Sequence, residues 1–196
     1  MTELIIVLAF ALLVVSWAVG AYNRLLSLRT RFKHAFAQID VQLKRRYDLI
    51  PVLVEAAKNT MKLERETLET VIASRNQAVS ANARAASDPT NAAAMLQMAS
   101  SEGALTDSLG KMFALAKAYP ELRANQNMRQ LTEELAGAEN GLAFARQSYN
   151  DSVIQYNAAL RQFPGSMIAN VFVFKPAEML QAGKPAEKRQ ASNVGS

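Results

Sequence analysis

Residues Leu4 to Ala21 carry no charge and only one polar side chain, Ser16. Eighteen residues at 1.5 Å per residue reach ~27 Å, close to the hydrocarbon thickness of a bilayer. The run predicts a transmembrane helix, with Tyr22 where an interfacial aromatic belongs. A cleaved signal peptide fits less well, because no Lys or Arg precedes the run and its length exceeds the usual hydrophobic segment. Beyond it, Leu28, Phe32, Phe36, Ile39, Leu43, Tyr47, Ile50 and Val54 follow one another at steps of three and four. That spacing traces one face of a helix. No Gly or Pro lies between Tyr22 and Ile50, so this helix is expected to continue straight out of the membrane. Pro51 interrupts the pattern and predicts either a kink or a break re-initiated at Asp48.

The stripe resumes through Met61, Leu68, Val71 and Ile72, and Ser87-Asp88-Pro89-Thr90-Asn91 is the strongest turn signal in the chain. A third helix is predicted on Met98, Leu105, Leu109, Met112, Ala116 and Tyr119, with Pro120 ending or kinking it. The fourth is the longest, running through Met128, Leu131, Leu135, Ala138, Leu142, Ala145, Tyr149, Val153, Tyr156, Leu160 and Phe163. Its steps average close to 3.5, which favours long, nearly parallel or antiparallel helices with coiled-coil-like packing. Pro164 and Gly165 stop it. These patterns give an all-α fold with four segments. Residues 1–22 are the anchor, 23–165 a bundle of three to four helices, 166–175 a short apolar stretch without helical periodicity, and 176–196 a disordered polar tail.

Composition agrees with this picture. Half of the 196 residues are apolar and only 7% aromatic, while Gly and Pro are scarce. The absence of Cys excludes disulfides and thiolate chemistry. The net charge of +5 comes mainly from bases after the apolar run and from helix faces of mixed sign. Attraction to a membrane surface explains it at least as well as nucleic-acid binding. Only Glu3 precedes the run, whereas Arg24, Arg29, Arg31 and Lys33 follow it, so the positive-inside rule puts the bundle in the cytoplasm.

Candidate chemistry is sparse. His34 is the single histidine and has no acidic residue at helical spacing to form a metal pair. Glu133, Glu134 and Glu139 imitate a di-metal helix motif but lack the histidine such a site requires. No phosphate loop or nucleophile turn is present. The reading is therefore non-enzymatic, with no catalytic residue, metal, cofactor, nucleic acid or small-molecule substrate. The notable polar residues are Asp40, Lys44, Arg45, Arg46 and Asp48 on the first helix, and Glu139, Asn140, Arg146, Asn150, Asp151 and Asn157 on the fourth. Tyr149 and Tyr156 are seven apart, as are Asn150 and Asn157, so each pair shares one side of its helix. Lys44 apart, these residues are expected to form an interhelical polar network that fixes register in an Ala/Leu core. The alternative is that Lys44, Arg45 and Arg46 make a docking surface for a partner or lipid headgroups. The apolar Val171, Phe172, Val173 and Phe174 are candidates for self-association or membrane contact.

The stretch Gln38-Ile39-Asp40-Val41-Gln42-Leu43-Lys44-Arg45-Arg46-Tyr47-Asp48-Leu49-Ile50-Pro51 resembles the hallmark of the LemA family of bacterial membrane proteins. Ala118-Tyr119-Pro120-Glu121-Leu122, Glu139-Asn140, Ala145-Arg146-Gln147-Ser148-Tyr149-Asn150-Asp151, Tyr156-Asn157 and Phe163-Pro164 resemble it as well. The resemblance implies an N-terminal anchor in the bacterial inner membrane, an antiparallel helical bundle and no known catalytic activity. Val173 departs from it, standing where the family usually has glycine. The expected role is a scaffold that organises itself as a homo-oligomer, or other membrane proteins, on the lipid bilayer. The alternative is an adaptor or regulator of a membrane protease or signalling protein.

Overall fold

The computed structural model describes residues 1–180, and every regular element among them is helical. Helix α1 (Thr2–Lys58) is followed by a single 3-10 turn (Lys62–Glu64), then by α2 (Arg65–Ser87), α3 (Ala92–Ala116), the short α4 (Pro120–Ala124), α5 (Gln126–Arg161) and α6 (Gly165–Val171). The 57 residues of α1 would extend about 85 Å. Its apolar window is long enough to cross a membrane, and none of it is buried within the protein. That exposure separates it from the core helix of a globular domain, which hides such residues.

Pro51 lies inside α1 and does not break it. A proline removes the donor that would have paired with the carbonyl four residues back, here that of Tyr47. Arg75 on α2 supplies the replacement, its Nε donating to the Tyr47 carbonyl at 3.1 Å. Pro120, by contrast, occupies the first turn of α4, where its missing N–H removes no intrahelical bond.

Side chains shape the turn after α2 and cap the starts of α3 and α5. Asp88 accepts from the N–H and the hydroxyl of Thr90 in the turn after α2. Asn91 caps α3 by accepting from Ala94 N–H, and Asn125 caps α5 by accepting from Asn127 and Met128.

Residue pairs give the helix directions. On α1 and α5, Arg31 meets Gln155, Phe36 meets Tyr149 and Arg46 meets Glu139, so the two run antiparallel. Helix α2 runs back along α1, with Arg75 at Tyr47 and Asn82 at Asp40, and it pairs with α3. The buried stripe of α1 contains seven of its eight expected members, Leu28 being half-buried. Phe32, Tyr149 and Tyr156 are the largest fully hidden side chains. Phe32 lies 4.9 Å from Tyr156, and Phe36 lies 5.7 Å from Tyr149, a spacing at which aromatic pairs attract beyond simple area burial. Helix α5 approaches α1 closely at Gly141, where a Cβ would stand 2.8 Å from Gln42 Oε1.

The C-terminal part differs from the sequence expectation in two ways. Residues 166–171 of the apolar stretch, together with the expected stop at Gly165, form α6, which hides Gly165, Ile168 and Ala169 against α1 and α5. A side chain at Gly165 would collide with the Ala159 carbonyl. Seven residues are too few for periodicity to declare itself. Residues 174–180, partly assigned to a disordered tail, form an extended strap on α5 with Ala177 and Leu180 buried. The rest of that expected tail lies outside the described residues.

Between α6 and the strap, Phe174 N–H bonds the Ala169 carbonyl, closing a six-residue C-terminal cap around Val173 at φ 53°. A β-branched residue resists this left-handed conformation. The local geometry favours glycine at this position.

Candidate functional site

Two polar constructions stand out, both involving α5. The first is a buried charge cluster. Arg46 is only 2% exposed, and its guanidinium donates to Glu102 Oε2 (2.9 Å) and Thr106 Oγ1 (2.9 Å) on α3. It also pairs with Glu139 on α5 at 3.3 Å. The Tyr47 hydroxyl donates to the other oxygen of Glu102. Burial, and then the Glu102 carboxylate, push that hydroxyl far above the ordinary phenol range, so it remains a donor. Arg146 stands half-buried beside the cluster. Burial lowers its pKa, Glu102 and Glu139 oppose the shift, and Arg46 adds to it; it stays charged nonetheless. With both oxygens of Glu102 taken by internal donors, the carboxylate has no open face toward solvent.

Glu102 was not among the polar residues singled out in the sequence, yet the signal was there. Met98, Leu105 and Leu109 define the buried face of α3, and Glu102 falls on that same face. A lone acid on an apolar stripe requires a buried cationic partner.

The second construction is a pair of brackets holding the strap. Asn157 donates to the Ala177 carbonyl (2.8 Å) and accepts from Ala177 N–H (3.0 Å). Asn150 does the same to Leu180, at 2.9 and 2.8 Å. The hydroxyls of Tyr156 and Tyr149 donate to the carbonyls of Lys175 and Glu178, each at 2.9 Å. Seven helical residues advance ~10.5 Å, and three residues of extended chain advance ~9–10 Å. The repeat of seven on α5 therefore matches a repeat of three on the strap. All six bonds go to backbone atoms, so they hold a chain conformation whatever its side chains. Burial raises the pKa of both tyrosines, keeping their hydroxyls protonated.

The expected interhelical network thus divides. Asp40, Arg46, Glu139 and Arg146 gather between helices, with Asp40 accepting from Asn82 (2.6 Å) and pairing with Lys44 (2.7 Å). Asn150 and Asn157 turn instead to the strap, because their amides match the paired N–H and C=O of an extended residue. Arg45, Asp48, Asn140 and Asp151 are exposed and make no side-chain hydrogen bond or ion pair among the described residues. Buried Arg46 cannot belong to a basic docking surface with Lys44 and Arg45. His34 is exposed in a shallow α1–α5 groove beside Phe144, Gln147 and Asp151. Val171, Phe172 and Val173 are exposed, while Phe174 is half-buried between Tyr22 and Arg29.

The model of the LemA family matches residues 35–195, a span that holds both the charge cluster and the brackets. The chain belongs to the LemA family. Among curated relatives it is similar to magnetosome proteins MamQ 1 and MamQ 2 of Paramagnetospirillum magneticum, each 28% identical over 85 residues. Magnetosome protein MamQ of Magnetospirillum gryphiswaldense is 27% identical over the same length. Each match covers 43% of this LemA-family chain but only 31% of the relative.

Proposed function

We propose that this LemA-family protein is a membrane-anchored, non-enzymatic scaffold whose four long helices form a rigid antiparallel bundle, packed like a coiled coil. It would organise copies of itself or other membrane proteins at the bacterial inner membrane, with the bundle on the cytoplasmic side. The observation that carries the reading is the continuity of α1, a single helix from Thr2 to Lys58. Its first third is apolar and uncovered, and its last two thirds supply the bundle core. A hydrophobic run left uncovered in water is a strong force toward a membrane. The polar groups best placed for chemistry hold one another, as Glu102 does with Arg46 and Tyr47, which supports a structural rather than catalytic role. The likeness to magnetosome proteins leans toward the same reading.

The test is site-specific cross-linking in intact membranes. A single cysteine at exposed Phe144 should give dimers or heavier adducts that persist when expression is lowered; a strictly monomeric pattern would remove the self-organising role. Cysteines at Thr2 and Ser192, labelled in whole cells with an impermeant reagent, give the topology. Labelling only at Thr2 supports a cytoplasmic bundle, and labelling only at Ser192 reverses it.

A further inference from the structure

The elbow joining α5 to the strap packs beside the part of α1 that is built for a membrane. The Phe163 ring lies 5.3 Å from that of Trp17, and the Phe172 ring 4.8 Å from that of Tyr22. Ile168 and Ala169 of α6 join Leu25 and Ala159 in a small core that also touches Ala18, Ala21 and Tyr22. Trp17 is four residues short of the end of the charge-free run, or ~6 Å inside it along an unbroken helix. Whatever packs on Trp17 shares its depth.

The composition of the elbow fits that depth. From Gln162 to Phe174 no residue is charged, and the stretch is flanked by Arg161 and Lys175. Cations placed so can hold their heads among lipid phosphates while the chain between them sits lower. The inner face is satisfied by α1 and α5, whereas the outer face shows Phe163 (71% exposed), Met167 and Val171 (73%). Its backbone is largely paired internally: Ser166, Met167, Ile168, Phe172 and Phe174 all donate to nearby carbonyls. A segment entering a low-dielectric layer needs that pairing.

We propose that this elbow, residues 163–173, is embedded in the interfacial layer of the bilayer beside α1, as a second membrane contact made by the membrane-proximal end of the bundle. The proposal rests on α1 spanning the membrane and goes beyond it, since it turns a single-point anchor into a two-point seat. The bundle can then neither swing about α1 nor lift away from the headgroups without exposing Phe163, Met167 and Val171 to water.

The experiment uses the full chain, which has no native Cys, in vesicles of phosphatidylethanolamine and phosphatidylglycerol. Single cysteines at Met167, Val171, Leu8 and Gln77 carry a nitroxide, and collision rates with oxygen and with a water-soluble nickel chelate are measured. The expected result is an oxygen-to-nickel ratio at Met167 and Val171 several-fold above that at Gln77 on α2 and below that at Leu8 in the apolar run. A ratio at Met167 and Val171 equal to that at Gln77, with Leu8 in lipid, overturns the elbow and leaves the anchor standing. An aqueous Leu8 takes down both. Low accessibility to both reagents, with spin–spin broadening removed by unlabelled chain, makes this face a contact between copies and likewise overturns the proposal.

Discussion

The charge cluster around Arg46 and the brackets at Asn150 and Asn157 both bury polar groups against the same helix, by opposite means. The cluster ties α1, α3 and α5 together through charges, and its buried members, Arg46 and Glu102, are each tolerated only with the other in place. The brackets tie a strap to α5 through neutral amides and hydroxyls, each reading one or two backbone atoms. Helices have no spare backbone donors along their length, so a joint that pairs donor with acceptor takes side chains on both sides, or borrows a backbone carbonyl as Arg75 does at Tyr47. An extended segment offers its own N–H and C=O, and one Asn serves both.

Removing one member of the cluster should therefore have the largest effect. Glu102→Ala strips Arg46 of its buried carboxylate, leaving only the half-exposed Glu139 as counter-charge to Arg46 and Arg146, and is expected to cost about 3–5 kcal/mol in stability, read by thermal unfolding followed by circular dichroism. Replacing Arg46 by Met and Glu102 by Leu together should recover much of that loss. A loss below about 1 kcal/mol for Glu102→Ala alone would mean that water reaches the cluster.

The brackets should respond more locally. Asn157→Ala is expected to cost about 1–2 kcal/mol. Its signature is faster hydrogen exchange at the Ala177 amide, with the α1 core amides unchanged. Equal acceleration in core and strap would make the strap part of the global fold, erasing the contrast. A smaller change of opposite sign is expected at the junction. Val173→Gly relieves a left-handed β-branched residue and should stabilise by about 0.5–1 kcal/mol after glycine's own entropy is subtracted.

The smallest effect is electrostatic and lies outside both constructions. The Thr90 hydrogen bond holds Asp88 below its ordinary pKa of 3.8. Its contribution is complete above that value and is lost as pH falls through the lower, folded-state value. Thr90→Val should lower stability slightly at neutral pH, where the contribution is complete, and converge with the parent in acid, so that the acid limb flattens; identical stability at neutral pH and identical acid limbs would remove this contribution.

The long helices were legible because their apolar residues recur every three or four positions over many turns, as in the stripe from Phe32 to Val54. Helix α6 was not, being too short for a period and followed by a Val where a glycine would have announced the turn. The half of the charge cluster on α1 and α5 could be read from its charges. Glu102 could be found only by asking which polar residue interrupts an apolar face. The strap was hidden for a different reason. Its attachment uses backbone atoms, which every sequence possesses, and only the repeated Tyr-Asn pair seven residues apart pointed to it. Arg75 was equally hidden, since its task of completing the helix at Pro51 depends on how α2 lies against α1.

The unbroken α1 gives the molecule the mechanics of a lever. With α1 across a bilayer, some 37 residues project from Tyr22 to Lys58, an arm of about 55 Å. Membrane helices tilt by about 20° on average, and tilt changes with the thickness of the surrounding lipid. A lean of that size carries the far end of the arm sideways by about 19 Å. Local bilayer thickness would thereby be converted into the reach and heading of everything built on that arm.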